Sequence, residues 1–192
     1  GTVKAGQRMF WNSGCAAMGF DLPAAIGATL AVGREVICIT GDGSLQMNIQ
    51  ELQTIRHNRL PVKLFVLNNE GYRSIEQTQT DYFGGNFIGC NRQSGVSFPD
   101  FAKVADLYGM KFFRITNTSG MIRVIKSVLS CRGACLCEVV IGNRYIFSPK
   151  LSSTKLPDGR MVSQPLENLY PFLEPSELES NMIVNGKETG RG

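Results

Sequence analysis

VICITGDGSLQMNIQELQTIRHNRLPVKLFVLNN, residues 36–69, carries the clearest fold signal in this chain of 192 residues. Residues 36–40 are a β-branched apolar run that stops at a Gly-Asp-Gly turn, as strands do. Residues 45–57 then repeat apolar side chains at the spacing of one helix face. Residues 62–67 are a second apolar run. We therefore expect a strand, a helix and a parallel strand in one right-handed βαβ unit.

The turns after the two strands should lie side by side at the carboxyl edge of the sheet, where open α/β sheets bind ligands. Asp42 offers a carboxylate oxygen, Asn69 an amide oxygen and the turn at Gly71 a backbone carbonyl. Such hard oxygen donors suit Mg²⁺. Gly43 and Ser44 open a helix, whose free N–H groups and dipole favour an anion such as a diphosphate. The residues therefore predict a site for a Mg²⁺-diphosphate cofactor.

Each turn also has a purely structural interpretation. A Gly-Asp-Gly sequence is most often only a turn, and two asparagines after a strand most often form a cap or a turn. The presence of both at the ends of neighbouring predicted strands favours the metal site over these alternatives.

Three separated motifs resemble the fingerprint of thiamine-diphosphate (ThDP) enzymes, in the order of that family. They are GDGS (41–44) with the asparagine pair in LPVKLFVLNNEGY (60–72), and upstream NSGCAAMGF (12–20) and LPAAIGA (22–28). The resemblance covers roughly residues 8–145 and is to the acetolactate-synthase-like branch. It implies the ThDP-binding α/β fold, a doubly wound open sheet, mainly parallel, with helices on both faces.

The resemblance implies a role for several small and polar residues of these motifs. Mg²⁺ would be held by Asp42, Asn69 and the backbone carbonyl of Gly71. ThDP would be bound by Ala16, Met18, Gly41, Gly43, Ser44, Gly71 and Tyr72. Binding of FAD is not predicted either way, because the middle domain that carries flavin in some relatives has no counterpart in this segment.

Ala16 and Met18 have more specific expected roles. A methionine would ordinarily be core filler. Under the resemblance, Met18 is the apolar wedge that bends ThDP and brings its 4′-amino group towards the thiazolium carbon. Ala16 would supply a backbone carbonyl to that amino group. The family often has glycine at this position, and a backbone role is expected to survive the change to alanine.

The catalytic residue is left unassigned. ThDP catalysis needs a carboxylate at the pyrimidine N1′, and in the family this glutamate comes from a pyrimidine-binding domain, usually of a neighbouring subunit. We therefore expect the chain to be a carboxyl-terminal fragment or one part of a split enzyme. Alone, it should bind Mg²⁺ and ThDP weakly and turn over little. A homodimer or homotetramer is expected, because the cofactor edge must face another domain.

Ile75 bears on the type of reaction. Pyruvate-decarboxylase-like relatives place an acid six residues after the second asparagine. This chain has the apolar Ile75 there, and acetolactate synthases likewise have an apolar residue. Glu76 would point about 100° away on a helix. An apolar residue favours a carboligase that decarboxylates a 2-oxo acid, by default pyruvate, and transfers the C2 unit to a second carbonyl.

Three alternatives remain open. The sequence GYRSIEQ after Asn69 lacks the Gly-Met-Val and the tryptophan that are usual in acetolactate synthases. The first alternative is therefore transfer of the C2 unit to a ketosugar, because the tail at 147–173 resembles acetolactate-synthase-like proteins associated with bacterial surface sugars. A 2-oxo acid decarboxylase is the second alternative, because a shift of one residue would place Glu76 where pyruvate-decarboxylase-like relatives have the acid. The third is a non-catalytic cofactor-binding module, against which the intact Asp42, Asn69 and Met18 argue.

Composition and charge exclude several classes of function. Hydrophobic residues make up 43% and charged residues 19% of the chain, an ordinary globular balance. The net charge of +4 is not clustered, so no nucleic-acid partner is expected. No apolar run approaches the ~20 residues that span a bilayer, and the start does not resemble a signal peptide. We expect a cytoplasmic protein with no membrane partner. The resemblance implies that it acts on a small 2-oxo acid beside a pyrimidine-binding domain.

The six cysteines predict neither a zinc site nor disulfides. Cys131, Cys135 and Cys137 lack the paired two-residue spacing of structural zinc sites. Reduced thiols in a protein core are the favoured interpretation.

Two parts are expected along the chain. Residues 1–145 would form the ThDP- and Mg²⁺-binding domain, with a first strand at residues 8–12 and a helix that Ser97 caps. Residues 146–192 would form an irregular arm that packs on this domain or on its partner. The last residues, 186–192, are expected to be disordered.

Overall fold

The computed structural model describes residues 2–12, 14–142 and 147–182. The chain divides into two compact units, Gly1–Arg144 and Tyr145–Gly192. The disorder expected for residues 186–192 concerns residues outside the described ranges.

Four parallel strands of the described chain form the sheet of the first unit. They are β1 (Val36–Gly41), β2 (Val62–Asn68), β3 (Lys111–Ile115) and β4 (Cys135–Val140). Their order is β1-β2-β4-β3, and each neighbouring pair is parallel. Gly41 lies opposite Leu67, so the turns that follow β1 and β2 are neighbours at one edge of the sheet. The predicted βαβ unit and the mainly parallel α/β fold are confirmed.

Helices connect these strands. The α-helices are α1 (Asp21–Val32), α2 (Asp42–Met47), α3 (Leu52–His57), α4 (Arg73–Phe83), α5 (Phe101–Leu107) and α6 (Met121–Leu129). Short 3₁₀ turns occupy Ile49–Glu51 and Arg92–Ser94. None of the helices in the described part of the chain is long and apolar enough to cross a membrane.

Helices pack on both faces of the sheet, although Ile37 and Ile39 of β1 are more than half exposed. The core of one face includes Leu22 of α1, Leu52 of α3, Leu64 of β2 and Phe101 of α5, all of them at most 1% exposed. The core of the other face joins β3 and β4 to α6, where Val128 is fully buried. Burial of one such side chain contributes about 1.5–3 kcal/mol to the free energy of unfolding. This two-sided packing confirms the doubly wound arrangement.

The prediction of one helix over residues 45–57 is wrong. α2 ends at Met47, and the backbone of Asn48 leaves the helical region at φ −135° and ψ 32°. The side-chain amide of Asn48 donates a hydrogen bond to the Gly19 carbonyl at 2.6 Å. This contact with a distant loop accompanies the break. The apolar face survives it, because Leu45, Leu52 and Ile55 are fully buried.

Two smaller expectations are also corrected. Residues 8–12 form no strand, and Met9, Phe10 and Trp11 are each more than half exposed. The helix assigned to a Ser97 cap instead begins at Phe101, where the Asp100 carboxylate accepts the N–H of Ala102 at 2.9 Å. Pro99 explains the later start, because the residue before a proline is disfavoured in the α region.

The second unit is more regular than the sequence suggested. β5 (Ser153–Lys155) and β6 (Met161–Ser163) form an antiparallel hairpin, and α7 spans Pro175–Asn181. A further bridge joins Lys150 to Tyr170, and the Tyr170 ring packs edge-on against Phe172 at 5.7 Å between centroids.

Candidate functional site

Asp42 joins the two turns at the carboxyl edge of the sheet. It follows β1 directly and is only 2% exposed. One carboxylate oxygen, Oδ1, accepts the N–H of Gly43 at 2.7 Å. The other, Oδ2, accepts the N–H of Asn69 at 3.0 Å and that of Gly71 at 3.3 Å. The carboxylate therefore fixes the turn after β2 against the turn after β1.

Burial makes the charged form of Asp42 costly. Removal from water raises the pKa of the Asp42 carboxyl above its ordinary value, and this effect is the largest. Hydrogen bonds from the backbone N–H groups of Gly43, Asn69 and Gly71 lower the pKa and offset part of the rise. A cation beside Asp42 would favour the ionised carboxylate further.

Asn69 has an unsatisfied oxygen in this cluster. Its side-chain Oδ1 is buried and has no hydrogen-bond partner among the residues that the structure describes. A buried polar atom without a partner costs about 1–3 kcal/mol, so such an atom in a native fold requires an explanation. A hard cation is one, because an amide oxygen is a suitable ligand for Mg²⁺. The donor set of Asp42 and Asn69 therefore fits that ion.

A metal here would need ligands beyond acidic side chains. Within the described ranges, no group of three histidine, cysteine, aspartate or glutamate side chains could hold a metal ion. Backbone carbonyls, water or the oxygens of a bound anion would have to complete the set around Asp42 and Asn69, as is common for Mg²⁺.

Two glycines allow the turns to approach closely. A Cβ atom on Gly43 would lie 2.2 Å from the ring of Tyr72, and one on Gly71 would lie 2.6 Å from the carbonyl oxygen of Cys90. The N–H of Tyr72 donates to that same carbonyl at 2.7 Å. The Tyr72 ring also packs edge-on against Phe98, with 6.0 Å between centroids. A Cβ atom at position 43 would displace the Tyr72 ring, and one at position 71 would push the turn away from the Cys90 backbone.

Ser44 is held by residues that the sequence did not single out. Its hydroxyl donates to Asp21 Oδ2 at 2.7 Å and accepts the N–H of Gly19 at 2.8 Å. Thr40 also donates to Asp21 Oδ2, at 2.6 Å. Asp21 thus fastens the start of α1 to the end of β1. Its place directly before the LPAAIGA motif (22–28) was the only signal available in the sequence. Gly41, also assigned to the cofactor, is the extended residue before α2.

Gly19 ties the loop of Ala16 and Met18 to the site. It is buried, its N–H is bound by Ser44, and its carbonyl accepts from Asn48. Ala16 has a positive φ of 47°, a conformation that glycine adopts more easily. Met18 is 41% exposed. The structure therefore anchors the end of this loop beside α2 and leaves Met18 open to a neighbour.

Ile75 and Glu76 both lie in the first turns of α4. Ile75 is half-buried. The carboxylate of Glu76 forms an ion pair with Arg73 and accepts the side-chain amide of Asn91 at 3.2 Å. Glu76 is therefore engaged within its own neighbourhood.

The chain matches a known family over most of its length. Residues 2–139 match the family described as "Thiamine pyrophosphate enzyme, C-terminal TPP binding domain". The acetolactate synthase large subunit of Cyanidium caldarium is 32% identical over 173 residues, which cover 90% of this chain and 26% of that protein. Chloroplastic acetolactate synthase 2 of Zea mays is 36% identical over 157 residues, 79% of this chain and 25% of that protein.

A solved structure is also similar. It is the ThDP-dependent 4-hydroxybenzoylformate decarboxylase of Rhodococcus jostii, with a TM-score of 0.58 and 31% sequence identity. The match covers 65% of this chain and 23% of that one. The chain thus spans about a quarter of the length of the curated relatives that it matches.

Proposed function

The chain belongs to the thiamine pyrophosphate enzymes, as their C-terminal TPP-binding domain, and from this premise we propose that its β1–β2 edge binds ThDP through Mg²⁺ in an acetolactate-synthase-like carboligase. The donor substrate would be a 2-oxo acid, with pyruvate as the default, and the acceptor a second carbonyl compound. The observation that carries the proposal is the buried, unpartnered Asn69 Oδ1 on a turn bound to Asp42, within the part of the chain that the structure describes.

The two turns would hold the metal and the diphosphate. Asp42 and Asn69 would each give one oxygen to Mg²⁺, and the backbone carbonyl of Gly71 would give a third. The diphosphate would bind beside Gly41, Gly43 and Ser44, with Gly71 and Tyr72 closing the site. Mg²⁺ would offset the cost of burying the ionised Asp42 and would satisfy the amide oxygen of Asn69.

Residues of this chain would also set the shape of the reaction site. When bound, ThDP would supply a nucleophilic carbon and, in its cationic thiazolium ring, an electron sink for the decarboxylation of a 2-oxo acid. The Ala16 carbonyl would accept a hydrogen bond from the amino group of the pyrimidine. Met18 would support the bent cofactor from the apolar side, a role for which its exposed side chain leaves room.

Ile75 favours transfer of the C2 unit over its protonation. An apolar side chain at this position offers no proton to the reacting carbon. Glu76 is paired with Arg73 and bound by Asn91, which holds its carboxylate away from that task. Decarboxylation alone is the second candidate, because the similar Rhodococcus jostii structure is that of a decarboxylase.

We also propose that the activating glutamate comes from a pyrimidine-binding domain in a homodimer or homotetramer. Met9, Phe10, Trp11 and Met18 support this proposal, since each is at least 41% exposed. Exposed apolar side chains of this kind are suited to contact with another protein surface. A cytoplasmic location belongs to the same proposal.

Product analysis on the full-length gene product tests the reaction. With pyruvate, ThDP and Mg²⁺, we expect acetolactate and CO₂, and no product after chelation of Mg²⁺. Asp42→Ala should abolish the reaction, whereas Asp106→Ala, which changes an exposed aspartate on α5, should not. Acetaldehyde as the main product would favour the decarboxylase. No turnover of any 2-oxo acid by a protein that binds ThDP would contradict the proposed catalytic role.

A further inference from the structure

Glu138 is a buried carboxylate that the proposed cofactor chemistry does not use. It lies on β4 and is only 5% exposed. Its Oε1 accepts the side-chain N–H of Asn68 at 2.6 Å, and its Oε2 accepts the Nε–H of Arg114 at 2.6 Å. Side chains of β2, β4 and β3 are thereby joined in a row, close to the edge that carries Asp42 and Asn69.

The contact with Glu138 determines which way the Asn68 amide faces. A carboxylate only accepts hydrogen bonds, so Asn68 must present its NH₂ group to Glu138. The oxygen of Asn68 then faces the turn, where it accepts the N–H of Glu70 at 3.1 Å. If the amide were reversed, both hydrogen bonds would be lost.

Asn69 lies between the two residues that this hydrogen bond connects. Glu70 has a positive φ of 60°, which is uncommon for a residue other than glycine. The bond from its N–H to Asn68 helps to keep the turn in this conformation. In the same turn, the N–H groups of Asn69 and Gly71 reach Asp42 Oδ2. The backbone turn that carries the Asn69 side chain is therefore held in part by the Asn68 amide.

We propose that Glu138 is a positioning residue for the Mg²⁺ site. Without touching the metal, it orients Asn68, and through Asn68 the turn that presents the Asn69 ligand. Arg114 occupies the second oxygen of Glu138 and balances its charge. The inference rests on the proposed function, because it requires Asp42 and Asn69 to be metal ligands. Loss of a residue that orients a metal ligand typically weakens metal binding 10- to 100-fold.

Three variants isolate this hydrogen-bond chain. Glu138→Gln keeps the size of the side chain, but an NH₂ donor replaces one of the two oxygens and would face the N–H of either Asn68 or Arg114. Asn68→Asp retains an acceptor for the Glu70 N–H but places a carboxylate against Glu138. The double variant reverses donor and acceptor, because the introduced glutamine amide can donate to the introduced aspartate and still accept from Arg114. The swap should therefore restore a chain that each single change breaks.

Lys63→Met is the matched control. Lys63 is fully buried on β2, pairs with Glu35 at 3.0 Å, and donates to the Gly133 carbonyl at 2.6 Å. These partners lie at the opposite edge of the sheet, before β1 and β4. Loss of this buried cation should lower the melting temperature but leave the metal site unchanged.

Two measurements on the full-length gene product test the proposal. The first is Mn²⁺ binding by electron paramagnetic resonance at saturating ThDP, with Mn²⁺ in place of Mg²⁺. The second is amide hydrogen exchange at residues 69–71 without metal or cofactor. For Glu138→Gln we expect about 10-fold weaker Mn²⁺ binding and at least 10-fold faster exchange at Glu70. The double variant should bind Mn²⁺ more tightly than the product of the two single effects predicts.

The outcomes separate the two proposals. If the wild-type protein binds Mn²⁺ and ThDP, and Glu138→Gln binds Mn²⁺ within twofold of it, the positioning role of Glu138 is overturned. That role is also overturned if Lys63→Met weakens Mn²⁺ binding as much as Glu138→Gln, because the effect is then one of general stability. A wild-type protein that binds neither Mn²⁺ nor ThDP overturns the proposed function itself.

Discussion

Gly71→Ala should disturb both the stability of the fold and the cofactor site. A Cβ atom at this position would lie 2.6 Å from the backbone oxygen of Cys90, and a backbone atom cannot swing aside as a side chain can. The turn must shift, which breaks the hydrogen bond from the Tyr72 N–H to Cys90 at 2.7 Å. It also moves the Gly71 N–H away from Asp42 Oδ2, 3.3 Å distant.

The size of the effect of Gly71→Ala follows from these contacts. Forcing an extra methyl group into a packed site costs roughly 1–3 kcal/mol, and one lost hydrogen bond costs about 1 kcal/mol. We expect the free energy of unfolding to fall by about 3 kcal/mol. For a protein of this size, that lowers the melting temperature by roughly 6–12 °C.

Urea unfolding of the metal-free protein, followed by circular dichroism, measures the loss. Gly27→Ala is the matched control: Gly27 lies in α1, and no atom of the described chain outside its own helix backbone is within 4 Å of the added Cβ. The free energy of unfolding of that variant should rise by about 0.5–1 kcal/mol, because alanine has a higher helix propensity than glycine. A Gly71→Ala protein within about 0.5 kcal/mol of wild type would refute the close approach that we describe.

Two further predictions concern the loop before α1 and the thiols. Ala16→Gly should raise the free energy of unfolding by about 1 kcal/mol, since glycine adopts the positive φ of 47° without strain; unchanged stability in urea unfolding would contradict this. At pH 8, iodoacetamide should label the exposed Cys15 first. Burial raises the pKa of Cys38 and of Cys135 to about 12 and that of Cys137 to about 11, so these thiols stay neutral and unreactive. The contribution of these neutral, buried thiols to the free energy of unfolding should be complete below about pH 9 and lost as the pH rises towards their raised pKa values. Early labelling of Cys38, detected by mass spectrometry, would contradict the burial.

The parts of the fold that depend on local pattern could be predicted from the sequence. The apolar runs of β1 and β2 and the turns that end them were sufficient for a parallel pair, because few other arrangements connect two strands through a helix. The neighbouring positions of the turns at Asp42 and Asn69 followed from that pairing. The register of β1 and β2 agrees with this expectation.

Features that depend on distant contacts could not be predicted. Periodicity gave one helix over residues 45–57, whereas the bond between Asn48 and Gly19 accompanies a break there. The contact of Ser44 with Asp21 was unpredictable for a similar reason, because 23 positions separate the two residues. Pattern within a segment carries no information on such pairs.

The role inferred for Glu138 was equally invisible in the sequence. Glu138 lies within an apolar strand and is 70 positions from Asn68. Only the register of β4 with its two neighbours brings Glu138 opposite Arg114 and near the end of β2. A charged residue inside an otherwise apolar strand was the one available signal that it has a partner.

Calorimetric titration of ThDP into the full-length gene product, with and without Mg²⁺, tests the central claim most directly. We expect binding that requires Mg²⁺ and that weakens roughly 100-fold or more in Asp42→Ala and in Asn69→Ala, while Asp106→Ala binds like wild type. Binding of equal strength without Mg²⁺, or unchanged binding in both variants, would contradict the assignment of Asp42 and Asn69 as the metal ligands. No binding of ThDP under any condition would contradict the cofactor site as a whole.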